Sequence, residues 1–260
     1  MTHTPRKRFG QNFLQDPQAI EHIVQAVHPR PGEHLLEIGP GQGAITRPLL
    51  QAAGALDVIE LDRDLVGPLA ARCGALGHLK IFNEDVMNVD FARFATTRTL
   101  RVVGNLPYNI STPLLFHLLR FGHLIMDMHF LLQKEVVARM AAAPGATDYG
   151  RLSVMIQYHC LVEPLFDIGP GAFRPPPKVD STFVRLTPHA QPPVDVGDYE
   201  RFRALVKQAF AQRRKTLRNN LRELMDDATL RAAGLEPDQR PQTVSLEQFA
   251  ALSRLLSPGD

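Results

Sequence analysis

The chain is expected to fold as an α/β protein: a mostly parallel seven-stranded sheet with helices on both faces, then a small all-helical C-terminal domain. Three observations predict this. Short apolar runs alternate with helical patterns through the first half of the chain. Two further strand-like segments follow Leu132. Beyond a proline-rich linker, apolar residues recur only at helical spacing.

Residues 1–15 are polar, basic and aromatic, and read as a mobile arm. Asp16-Pro17 combines a capping acid with proline at the first helical position, predicting a helix through about Val27. HLLEI (34–38), ALDVIE (55–60), HLKIF (78–82), LRVVG (100–104) and MDMHFLL (126–132) are the first five strand candidates. Ile45–Ala53 and Pro113–Leu119 are helical patterns between them, and Ser111-Thr112-Pro113 reads as another cap-then-proline start. PLFDI (164–168) and STFVRL (181–186) complete the sheet, joined by FRPPPKVD at a spacing that permits a hairpin-like pair. The linker TPHAQPPVDVGD (187–198) sets a boundary near residue 190. Residues 1–190 are then one domain and 191–260 a helical second one.

The 260 residues are 44% hydrophobic and 22% charged, an ordinary soluble composition. Net charge is +2 from 29 basic and 27 acidic residues, so any basic signal must be local. Cys73 and Cys160 have no paired spacing, which suits a reducing cytoplasm. The N-terminal MTHTPRKRFGQNF lacks the apolar core of a signal peptide. LIMDMHFLL is too short to span a membrane and contains Asp127. The ten histidines are scattered, so no metal site is expected.

EIGPGQGA (37–44) lies between the first strand and a helix. Its glycines, with Gly39 and Gly41 foremost, allow a tight turn and close approach to a ligand. The spacing suits either a dinucleotide or S-adenosylmethionine (SAM); no Lys-Ser or Lys-Thr follows, which excludes a triphosphate P-loop. Glu60, 21 residues after Gly39, could accept from both ribose hydroxyls of either ligand. Asp85 is more discriminating, since it could accept from an adenine amino group while Val86 packs on the ring. Glu37 is expected to hold the glycine loop and to add negative potential near a sulfonium.

GNLPYN (104–109) follows the fourth strand. The N6 lone pair of adenine is delocalised into the ring, so a methylating site must favour an N6 with sp³ character. Two acceptors on its N–H groups would do so: the Asn105 side-chain oxygen and the Leu106 carbonyl, with Pro107 holding Leu106 extended. Tyr108 offers a ring face for the base, and Phe173 could close the other face. A base gripped in this way must first be unstacked or flipped out.

KRFGQNFL (7–14), LLEIGPGQGAIT (35–46), VVGNLPYNIST (102–112), YGRLSV (149–154), FRPPPKVDSTFVRL (173–186) and QRRKTLRNNL (212–221) together resemble the small-subunit (16S) ribosomal RNA adenine-N6,N6-dimethyltransferases. The resemblance runs almost the whole length. It implies a Rossmann-like class I SAM-dependent methyltransferase fold and a product S-adenosylhomocysteine. It also implies dimethylation of two adjacent adenosines in the 3′-terminal hairpin loop of the RNA, within immature small subunits. By resemblance alone, Asn12 and Leu14 of the arm join the SAM site. Related erythromycin-resistance enzymes act on 23S RNA and typically carry isoleucine where Leu106 stands.

From Arg201 to Arg218 there are seven basic residues and no acid. On a continuous helix Arg203, Lys207, Arg214 and Arg218 would share a face. With Arg213, Lys215 and the Arg6-Lys7-Arg8 run, they read as an RNA phosphate track. A monomer is expected. Three other readings stay open: a subunit-assembly factor whose catalysis is secondary, a 23S RNA adenine methyltransferase conferring macrolide resistance, and a NAD dehydrogenase resting on the glycine turn alone.

Overall fold

The first element among the described residues is a two-residue strand in the expected arm. A computed structural model of the chain describes residues 11–256, and within it β1 (Phe13–Leu14) pairs antiparallel with β8 (Phe173–Arg174). Phe13 and Leu14 are both buried, so residues 13–14 are a fixed part of the fold rather than a mobile arm. Local patterning misses this pair because its partner lies 160 residues away. The Asp16 carboxylate then caps α1 (Pro17–Val27), accepting from the backbone N–H of Gln18 and Ala19, as the Asp-Pro pair predicts.

Four parallel strands form the centre of the sheet: β2 (His34–Ile38), β3 (Ala55–Ile59), β4 (His78–Phe82) and β5 (Leu100–Asn105). β6 (Ile125–Gln133) joins β5 in parallel, and β9 (Ser181–Pro188) returns antiparallel to β6. With β7 (Cys160–Ile168) at the edge, the order is β4-β3-β2-β5-β6-β9-β7. The expected seven-stranded sheet and its single β7–β9 neighbour pair are both present. β2 and β5 are buried on both faces, as parallel strands covered by helices must be. The order reverses between β2 and β5, so their two following loops face a shared crevice, the ligand edge of such sheets.

Helices α2 (Thr46–Ala53), α3 (Arg63–Cys73) and α4 (Ser111–Leu119) follow β2, β3 and β5. The start of α4 departs from expectation. Ile110 is its N-cap residue, and Ser111 lies inside the first turn, where its hydroxyl donates to the Tyr108 carbonyl at 3.1 Å. Ser111 therefore braces the preceding loop instead of capping the helix.

The chain forms two compact units. One takes the chain up to Val137 and again Glu163–Pro188; the other takes Ala138–Val162 and the chain from His189 onward. The helical unit is thus not the contiguous 191–260 segment the linker suggests. α6 (Arg151–His159) packs on α7 (Tyr199–Ala209) and α10 (Leu246–Leu255). The buried Tyr149 hydroxyl donates to the Val244 carbonyl at 2.8 Å, and Tyr158 meets Phe202 with ring centroids 5.2 Å apart. Apolar residues of 149–158 need these partners, and a search for linkers cannot reveal that. Among the described residues, no helix is long and apolar enough to cross a membrane.

Candidate functional site

The loops after β2 and β5 line one pocket, which lies entirely within the sheet-bearing unit. At the β2 side, Gly39 and Gly41 have φ of +69° and +56°, a region that favours glycine. A Cβ on Gly41 would sit 3.1 Å from the Phe13 ring, so β1 and the glycine turn close on each other. Glu60 at the end of β3 holds this turn: its Oε2 accepts from the Gly41 N–H at 3.0 Å and its Oε1 from the Asp62 N–H at 2.8 Å. The loop-holding role expected of Glu37 thus belongs to Glu60.

Glu37 is completely buried and lines the pocket, and neither of its oxygens has a well-formed hydrogen bond. Burial pushes its pKa up to about 8, the Glu60 charge adds to the rise, and the Thr46 hydroxyl opposes it. At neutral pH the group is mostly the uncharged acid, not the standing negative charge that the sequence suggests.

Asp85 accepts from the Met87 N–H at 2.9 Å, which orients its carboxylate at the pocket wall beside the buried Val86. Asn12 and Leu14 line the same pocket.

At the β5 side, Gly104 pairs with Ile38 of β2, and a Cβ there would come within 2.6 Å of the Ile38 carbonyl oxygen. Glycine lets the two loops start this close together. Asn105 donates from Nδ2 to the Asn12 carbonyl at 2.9 Å, leaving Oδ1 as the acceptor for a ligand. The Leu106 side chain is buried. Pro107 and Tyr108 complete this wall, and the Tyr108 hydroxyl meets the Ser181 hydroxyl of β9 at 2.7 Å. Burial raises the Tyr108 pKa and the Ser181 bond opposes the rise, so the phenol stays neutral.

Two expectations fail. Phe173 is fully buried in the core with Leu35, Val103 and Phe183 and does not line the pocket. Its pairing in β8 points to a structural plug, not the second face of a base sandwich. The basic track also loses its geometry, since α7 ends at Ala209 and α8 (Leu217–Leu221) is a separate short helix. Arg203 pairs with Glu200 at 2.8 Å, and Arg218 with Asp227 at 2.7 Å and Asp238 at 3.0 Å. Arg213 donates to the Thr147 carbonyl. Lys207, Arg214 and Lys215 are exposed, with no ion pair among the described residues. Arg6, Lys7 and Arg8 lie outside the described residues.

Nothing in the local pattern assigns Ser181, Phe13 or Ser111 a role at the site. Ser181 ends the FRPPPKVDS stretch and carries no catalytic pattern of its own.

A positive-φ glycine turn held by the strand-end Glu60, facing the Asn105 amide across the pocket on this sheet order, fits one class: an α/β SAM-dependent methyltransferase. The buried, unpartnered Glu37 carboxyl and the positive-φ cradle suit a cationic ligand approaching the backbone closely. Among solved structures, a dimethyladenosine transferase from Plasmodium falciparum matches with a TM-score of 0.80 and 25% identity, over 92% of this chain and 95% of that one. The 23S rRNA methyltransferase ErmE matches with a TM-score of 0.74 and 26% identity, over 94% and 99%. The family model described as ribosomal RNA adenine dimethylase matches residues 2–257, and the chain belongs to that family. It is 53% identical to the ribosomal RNA small subunit methyltransferase A of Pseudomonas putida over 98% of this chain and 96% of the relative. The ribosomal RNA small subunit methyltransferase A of Nitrosococcus oceani is 55% identical, over 97% of this chain and 96% of that relative. Family membership rules out the NAD dehydrogenase reading of the glycine turn.

Proposed function

We propose that this chain dimethylates N6 of two adjacent adenosines in the 3′-terminal hairpin loop of 16S ribosomal RNA, acting as a cytoplasmic monomer on immature small subunits. The supporting observation is the Asn105 amide, whose nitrogen is held by Asn12 while its oxygen remains for the substrate amine. The small-subunit name carried by relatives at 53% and 55% identity favours this target over the 23S RNA of ErmE at 26%.

SAM, when bound, supplies an electrophilic methyl. The chain's own groups then do the rest. Asn105 Oδ1 and the Leu106 carbonyl accept the two N6 hydrogens, turning the lone pair out of the ring plane and toward that methyl. Tyr108, held by Ser181, carries the base on its face; such a stack contributes about 1–3 kcal/mol. No side-chain base is needed before attack, because the N6 proton becomes acidic once the methyl is attached. Aligning the reacting atoms supplies much of the remaining rate.

A monomethylated N6 keeps one N–H, so the second transfer loses one of the two acceptors. The second step should therefore be slower in single-turnover measurements; equal rates would show that the lost bond does not matter. Undermethylated small subunits mixed with labelled SAM should gain label at two adjacent adenosines near the 3′ end. Label in 23S RNA instead would assign the chain to the other branch. A catalytically dead variant that still restores subunit assembly would favour the assembly-factor reading.

A further inference from the structure

Glu37 is the one carboxyl in the pocket wall that is fully buried, with both oxygens lacking a well-formed hydrogen bond among the described residues. A structural carboxyl in such a place would ordinarily be paired. The ligand the pocket receives differs before and after reaction by one charge, the sulfonium becoming a neutral thioether. We propose that Glu37 makes the pocket discriminate between these two forms: it holds the sulfonium ligand as a carboxylate and the thioether product as the neutral acid, exchanging the proton with solvent.

The surroundings support this. Thr46 of α2 faces Glu37 with a hydroxyl that can donate to a carboxylate or accept from the acid, and its oxygen is likewise buried without a well-formed bond. Glu60, from the end of β3, adds a negative charge that disfavours ionisation until a cation arrives. Cys73 of α3 is a buried thiol whose pKa is raised by burial and by Glu37, so it stays neutral. Arg47 of α2 and Arg72 of α3 lower the thiol's pKa; Arg47 is exposed, and Arg72 donates to the Gln42 carbonyl. Asp85 and Glu84 lie on the same pocket wall. No cation pairs with Glu37 among the described residues, and the ligand's sulfonium would supply one. In a buried pocket of low effective dielectric that attraction is far stronger than in water.

The sign follows from the raised Glu37 pKa of about 8. Below that pH the empty site carries the proton, and binding a cation releases it. Affinity for the sulfonium ligand then rises with pH and levels off once the empty site has lost its proton. Affinity for the thioether product lacks this component.

The test is calorimetric titration of the full chain with SAM and with S-adenosylhomocysteine, at about pH 6, 7 and 8, in two buffers of different ionisation enthalpy. SAM should release more protons than the product. Its affinity advantage should grow by up to about tenfold per pH unit below the Glu37 pKa and then level off. Both ligands carry an α-amino group that titrates near this range. Glu37→Gln keeps that contribution and should lose the excess, whereas Glu37→Asp should retain part of it. Equal proton release for the two ligands in the wild-type chain overturns the proposal, whether or not the variants fold. Survival of the full excess in Glu37→Gln does so too.

Discussion

The carboxyl edge of the sheet and the basic 201–218 segment both present polar groups, but they are held in opposite ways. At the sheet edge the groups hold one another: Glu60 takes the Gly41 and Asp62 N–H groups, Asn12 takes the Asn105 amide, and Ser181 takes the Tyr108 hydroxyl. Little is left to reorganise when a ligand arrives. In the basic segment the helix ends at Ala209, and its cations are exposed and separately placed, two of them, Arg203 and Arg218, tied to nearby acids. The first region is preorganised chemistry; the second is a set of independent charges. Substitutions should therefore be large and coupled in the first, and small and additive in the second.

The largest effect should come from Asn105→Ala. Losing an acceptor for the N6 hydrogens should lower methyl transfer by about 100-fold or more, the scale for removing one preorganised transition-state group. Subunit binding, followed by sedimentation, should change little; parallel loss of both would make the residue structural. Next, Gly41→Ala forces a side chain into positive φ and against the Phe13 ring, costing about 1–2 kcal/mol. SAM should bind about tenfold more weakly by calorimetry, and an unchanged Kd would mean the turn does not touch the ligand.

Ser181→Ala should cost about 1 kcal/mol through the lost Tyr108 partner and raise KM about fivefold. Tyr108→Phe should do the same, and the double variant should be no worse than either alone. Additive losses would show that the two hydroxyls act separately. The smallest effects belong to Lys207→Ala, Arg214→Ala and Lys215→Ala. Each should weaken RNA binding a few-fold and reduce the slope of log affinity against log salt by about 0.7–0.9. Coupled losses among them would restore the continuous track that the break after Ala209 argues against.

The same contrast explains what could be read in advance. The glycine turn and NLPY are runs of consecutive residues, and the strand-end acids Glu60 and Asp85 are single residues at strand ends; all are legible locally, and the sheet brings them together by its strand order. The Arg203–Arg218 face required the helix to continue, and the turn around Gln212–Thr216 ends it. Non-local pairings were out of reach. The β1–β8 pair fixes residues 13–14 of the arm and buries Phe173, and Tyr149 binds Val244, 95 residues away. Nothing in the local pattern around Asn12 or Phe173 announces either partner; only the family resemblance placed Asn12 and Leu14 at the site.

The proposed function rests on the Asn105–Leu106 wall holding adenine N6 for methylation. Single-turnover transfer from labelled SAM to undermethylated small subunits, by wild-type chain and Asn105→Ala with subunit binding followed in parallel, tests it most directly. Label should appear on two adjacent 3′-terminal adenosines with the wild-type chain, and transfer should be about 100-fold or more slower with the variant at near-equal binding. Wild-type transfer rates from Asn105→Ala, or no label at those adenosines with the unaltered chain, would contradict it.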